Sequence, residues 1–344
     1  MTNASNDFTG AVTLASDTGA VQLTDFTDTI LATSILGGNL TVISTGAITQ
    51  TGALLVAGTS DFTVSSANAM TLTNTSNDFT GAVTLASGTG AVQIFDSATL
   101  ILATSTTLGG NLTASADNGL TISGDLTSTG NMTLEGDANN SSDGTDNISI
   151  TSGVTLNSGG TLTMDATTGG ITAVGSAVFT ATSGITINDT LSVSTGTVTF
   201  NNAASIAGLS LTAGTIDGAG DITVTGAMTW SGGTISGTRT LTTDTGVTTT
   251  MSASSAATLD TNVTWENDGT IDWNFSSSDF AIDGTLNNKS GADFNLQHTT
   301  NNADITGSGT VNNLSGATMT LNAAATDTDF APTFNNTGTV TVTQ

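Results

Sequence analysis

Residues 74–102, NTSNDFTGAVTLASGTGAVQIFDSATLIL, repeat residues 3–31, NASNDFTGAVTLASDTGAVQLTDFTDTIL, at an offset of about 71 residues. Duplication at a fixed period leaves few folds open, because each repeated segment must bury its apolar face against its neighbours. The match runs on through Ala32-Thr33-Ser34 against Ala103-Thr104-Ser105. It then slips by one residue, so that Gly37-Gly38-Asn39-Leu40 meets Gly109-Gly110-Asn111-Leu112. Such a slip belongs at a turn, since inside a strand it would move every side chain to the opposite face.

Shorter blocks lie within the long unit: Gly10-Ala11-Val12-Thr13-Leu14, Gly19-Ala20-Val21-Gln22-Leu23 and Gly38-Asn39-Leu40-Thr41-Val42. Each is a glycine followed by alternation that puts Val12 and Leu14 on one face and Ala11 and Thr13 on the other, the period of a half-buried strand. Later, Gly284-Thr285-Leu286-Asn287-Asn288 returns as Gly309-Thr310-Val311-Asn312-Asn313, about 25 residues on. One coil therefore takes a little over twenty residues, the duplicated unit reads as about three coils and the whole chain as about fourteen, a rod of roughly 65 Å at the spacing of stacked strands. Gly and Asn mark the corners because they tolerate positive φ, and stacked Asn side chains can satisfy backbone groups of the turns. The phrasing shifts near Asn201-Asn202, which divides the solenoid into residues 1–202, holding the duplication, and residues 203–344, holding the Gly-Thr-aliphatic-Asn-Asn coils and all of Trp230, Trp265 and Trp273.

Composition agrees with an all-β parallel β-helix. Glycine, Thr, Ser and Asn displace the strong helix formers, and only 9% of residues are charged. With Lys+Arg 2 against Asp+Glu 28 the net charge is −26, which repels nucleic acid and anionic bilayers and attracts cations. No cysteine is present, so disulfides and thiolate chemistry are excluded. No segment approaches the ~20 apolar residues of a membrane-spanning helix, and the opening residues lack a signal-peptide pattern. We expect a fragment whose export signal lies elsewhere.

The Gly-Asn-Leu-Thr and Gly-Thr-Val-Asn-Asn blocks resemble the β-strand repeats of bacterial filamentous-haemagglutinin-like adhesins and autotransporter passengers, and the likeness spans the chain. What the resemblance implies is a right-handed coil, secretion across an outer membrane and display at the cell surface as a stalk or adhesive rod. The lack of cysteine agrees, since disulfides hinder threading.

Candidate sites are few. Arg239, Lys289 and His298 are the whole basic supply, too little for a polysaccharide-cleaving site on a β-helix, and we expect no enzyme. Arg239 and Lys289 read as isolated turn residues that at most pair with surface Asp, and His298 as a solvated loop residue. An oxygen-rich run supplies Asp137, Asn139, Asp143 and Asp146 around Gly144 as a Ca²⁺ candidate, although its spacing matches neither the EF-hand loop nor the Gly-Gly-x-Gly-x-Asp nonapeptide, which favours a solvated insertion. Trp265 and Trp273 stand among Glu266, Asp268, Asp272, Asp279 and Asp283, a combination that suits saccharide contact and is equally a core-and-surface alternation.

Two functions follow. One is a stalk or adhesive repeat region, extracellular and at the cell surface, that contacts a host, abiotic or neighbouring-cell surface, carbohydrate included, and needs no cofactor beyond optional Ca²⁺. The other is a filament subunit whose coil ends join identical subunits end to end.

Overall fold

The computed structural model describes residues 1–344 except 142–145, 168, 253–254, 275–277, 298–302, 323–328 and 344. The chain is all-β, its parallel strands stacked as a β-solenoid of about 15 turns, with no helix among the described residues. It forms two compact units: residues 1–172 with 180–184, and residues 173–179 with 185–344. The compositional shift at Asn201-Asn202 falls within the second.

In the first unit Val21, Leu40, Ser60 and Val83 stand in one column, each about twenty residues beyond the last. The strand Leu40–Ser44 shows the cause: Leu40, Val42 and Ser44 are buried while Thr41 and Ile43 are half-buried on the outer face. A second column runs through Met70, Val92, Leu112 and Met132. Val92 is the repeat equivalent of Val21, yet the two stand in different columns. The duplicated unit therefore spans three coils and one further strand, not three whole coils. The coils are shorter than a third of the offset: the third coil ends at Val83, and the copy of Val21, Val92, falls on the next strand round. A small sheet on another side stacks Ala15, Ile35, Leu55 and Asp78.

In the second unit Leu241, Trp265, Leu286, Val311 and Phe334 form one column. Leu209, Met228, Thr249, Ile271, Phe294, Met319 and Val340 form another. The interior is wide enough for aromatic rings here: Trp230 lies 5.7 Å from Trp265 and 5.4 Å from Phe280, centroid to centroid. Tilted and edge-on pairs of this kind add to the area they bury. Corners close on stacked glycines. Gly218 at φ 113° and Gly237 at φ 89° occupy the left-handed region, and a Cβ on Gly237 would run into the Gly218 carbonyl.

Candidate functional surface

The saccharide reading of Trp265 and Trp273 does not stand. Both rings are completely buried, so neither offers a face to a sugar, and the core alternative is what the structure contains. Trp265 Nε1 donates to Thr243 Oγ1 at 3.1 Å, which satisfies its polar atom inside the coil. The even spacing of each Trp from inward aliphatic neighbours in its own strand, Val263 and Ile271, is the signal that places them there.

The acids around these rings serve as links between coils. Asp279 Oδ1 accepts the Asp304 N–H at 3.1 Å and Asp304 Oδ1 accepts the Asp329 N–H at 2.9 Å. Asp283 likewise receives the Ser308 N–H at 2.9 Å. These carboxylates recur at the coil period, a signal present in the sequence and missed when they were grouped by proximity to Trp. Their chemistry is that of a charged acceptor holding a turn N–H.

The Asn-Asn phrase builds two ladders from adjacent residues. Inside, Thr243 Oγ1 donates to Asn267, Asn267 to Asn288, Asn288 to Asn313 and Asn313 to Asn336, at 2.8 to 3.0 Å. Outside, Asn335 donates to Asn312 at 2.9 Å, Asn312 to Asn287 at 2.7 Å, and Asn287 to Glu266 Oε1 at 2.6 Å. Corner asparagines also act as expected on turn backbone: Asn39 Oδ1 accepts the Thr59 N–H and Asn131 Oδ1 the Thr161 N–H, each at 3.0 Å.

Lys289 lies on the surface, its Nζ 2.8 Å from Asp268 Oδ2 and 4.0 Å from Glu266 Oε2. The hydrogen bond to Asp268 raises its pKa, desolvation opposes the rise, and the charges of Asp268 and Glu266 add to it. Arg239 corrects the turn-residue reading. It begins the strand Arg239–Thr243, shares the inward face with Leu241, and is only 4% exposed. Its Nε, Nη1 and Nη2 have no hydrogen-bond partner within the protein. Burial pulls its pKa down, opposed by the charges of Asp217 and Asp221. His298 lies outside the described residues.

Of the Ca²⁺ candidates, Asp137 and Asp146 are buried and Asn139 is exposed, while Asp143 lies outside the described residues. Asp137 Oδ1 and Asn139 Oδ1 both accept the Ser141 N–H, at 3.1 and 2.8 Å. Among the described residues no group of three or more His, Cys, Asp or Glu side chains is placed to hold a metal ion.

Two apolar surface features stand out. In the small sheet of the first unit Ile35, 63% exposed, stacks on Leu55, 37% exposed, beside a hollow of about 340 Å³ that Asp17 and Asp78 also line. At the C-terminal edge Phe334, Val340 and Val342 are exposed, and Met319, Leu321, Phe330, Phe334 and Val340 line a hollow of about 240 Å³.

Residues 18–86 match a family model described as repeats of unknown function (DUF5649). No curated protein and no solved structure matches the chain.

Proposed function

We infer that this chain is a structural and adhesive repeat region of a large secreted bacterial cell-surface protein. It is extracellular, non-enzymatic and independent of a required cofactor, with Ca²⁺ at the acidic run around Asp137 at most an accessory. The observation that carries this reading is the outward pair Ile35 and Leu55, 63% and 37% exposed, an apolar contact stacked from coil to coil on the surface of the small sheet. Its partners are a host, abiotic or neighbouring-cell surface, carbohydrate included, and not nucleic acid, which a chain of net charge −26 repels. Resemblance to filamentous-haemagglutinin-like repeats supports the same role.

The test is retention of beads coated with the chain on glass, on immobilised polysaccharides and on cell monolayers. Beads carrying the wild-type chain are expected to be held, and beads carrying Ile35→Glu with Leu55→Glu to be lost from the surface that holds them. Retention no better than albumin-coated beads on all of these surfaces overturns the adhesive role.

The exposed Phe334, Val340 and Val342 favour a second reading, end-to-end assembly of identical subunits through the C-terminal strands. Uniform fibres that grow with concentration and vanish on Val342→Glu would select it.

A further inference from the structure

The duplication places the same sequence in two environments. In the interior copy the coil beneath is present: Leu55 and Val56 pair with Asp78 and Phe79, the strand Ser60–Val64 with Val83–Ala86, and Met70–Leu72 with Val92–Asp96. Phe79, Val83 and Val92 are then completely buried, and Phe79 meets Phe62 edge-on at 5.9 Å. The equivalent residues of the first copy, Phe8, Val12 and Val21, are only half-buried. Their sequence is that of a covered coil and not of a polar cap.

The polar groups of the first copy are already set for such a layer. In the interior, Asn77 Nδ2 donates to Leu72 O at 3.2 Å and Phe95 O at 3.3 Å, while its Oδ1 accepts from Leu54 N at 2.9 Å and Gln50 Nε2 at 2.8 Å. Its counterpart Asn6 makes both donor bonds, to Met1 O at 3.4 Å and Thr24 O at 3.1 Å. Among the described residues no coil lies beneath it to use its Oδ1 as Leu54 and Gln50 use that of Asn77. Met1 itself stands where Leu72 stands in the interior copy, its N–H donating to Gln22 O and its carbonyl accepting the Thr24 N–H, each at 2.9 Å.

We propose that residues 6–23 form an accepting edge for one further parallel β-coil of this same repeat, in register with Met1 and bringing an aromatic ring against Phe8. The occupant is a coil of the chemistry of residues 50–71: a backbone N–H and a Gln amide for Asn6, an inward Phe for Phe8, and a Met-Thr strand against Val21. The edge specifies like for like, because each of these contacts is already made once within the chain. The inference stands on the duplication and not on the adhesive role.

The test uses the full chain with a second copy of residues 50–71 placed directly before Met1, so that Met1 completes the added strand. Hydrogen exchange is followed by mass spectrometry on peptides covering 7–15 and 20–25. Their exchange is expected to slow by roughly tenfold or more against the unextended chain, with peptides of the second unit unchanged. Phe62→Asp confined to the added copy, or Asn6→Leu, is expected to remove most of that slowing. Unchanged exchange in the extended chain overturns the proposal. It is also overturned if the unextended chain protects these peptides in a concentration-dependent way, since the edge would then be taken by a second copy's terminal strands.

Discussion

Asn288 donates through Nδ2 to Asn313 Oδ1 at 3.0 Å and accepts from Asn267 Nδ2 at 2.9 Å, so a completely polar side chain sits in the buried face with its amide used on both sides. A further bond to Thr318 O at 2.9 Å takes its remaining proton. Removing it strands an acceptor on Asn313 and takes a donor from the Thr318 carbonyl inside the coil, while Asn267 Nδ2 keeps the Gly269 and Asp293 carbonyls. Asn288→Ala is expected to cost about 2–3 kcal/mol. Its neighbour Asn287 makes the same kind of ladder on the outer face, where water replaces a lost partner, and Asn287→Ala is expected to cost less than about 0.5 kcal/mol. Urea unfolding followed by Trp fluorescence measures both, because all three Trp lie in the second unit. Equal effects would show that burial is not what gives the inner ladder its weight.

Much of this was legible in the residues. Alternation in Gly-Ala-Val-Thr-Leu blocks puts Leu14 and Leu85 inside, and the structure has both buried. The same parity, carried from Leu286 to Asn288 and from Leu241 to Arg239, also places those polar residues inside. Chemical type argued for a corner or a turn, but in a strand whose aliphatic members must face the core, position prevails over polarity. The extra strand by which the duplication exceeds three coils was not legible. It depends on turn lengths, and the turns tolerate extra residues without any mark in the strand pattern. The coil-to-coil role of Asp279 and Asp304 was hidden for another reason: partners about 25 residues apart meet only once the coil period is known.

Asp96 gives the first unit a pH dependence of definite sign. Burial raises its pKa above the ordinary 3.8, although the N–H groups of Ala98 and Phe79, at 2.9 and 3.1 Å, hold it down in part. A carboxyl raised by folding binds its proton more tightly folded than unfolded. Its contribution is therefore most favourable below the unfolded value and is lost as pH climbs through the folded one. Asp96→Asn keeps a neutral acceptor at the site. Relative to wild type, the variant is expected to gain stability as pH rises from about 3 to neutrality. Hydrogen exchange of peptides covering 92–102 at the two pH values reads the difference, and parallel pH profiles would exclude burial of this carboxyl as the cause.

Thr249 interrupts an otherwise apolar column between Met228 and Ile271. Its Oγ1 is buried and has no hydrogen-bond partner within the protein. Thr249→Val preserves the shape and removes a desolvated hydroxyl, so it is expected to stabilise the second unit by about 1 kcal/mol. Thr249→Ser, which keeps the hydroxyl and deletes a methyl, is expected to destabilise. Trp-monitored urea midpoints decide, and a Val variant weaker than wild type would mean that the hydroxyl is bonded in solution.

Arg239 is the buried cation that the fold least requires. Desolvation disfavours its charge, and Asp217 and Asp221 offset this only at a distance while already engaged elsewhere, Asp217 Oδ1 by Ser236 Oγ at 3.1 Å and Asp221 Oδ1 by the Thr240 N–H at 2.7 Å. Removing the guanidinium therefore leaves neither carboxylate without a donor. A buried charge replaced by an apolar chain of similar length tends to be neutral or stabilising, so Arg239→Met is expected to raise stability by about 1–3 kcal/mol. Arg239→Lys keeps a charge in the same desolvated place on a more strongly hydrated head group, and should show no such gain. If Met instead destabilises while Lys is tolerated, the positive charge itself holds the coil together, and Asp217 and Asp221 would be its partners in solution.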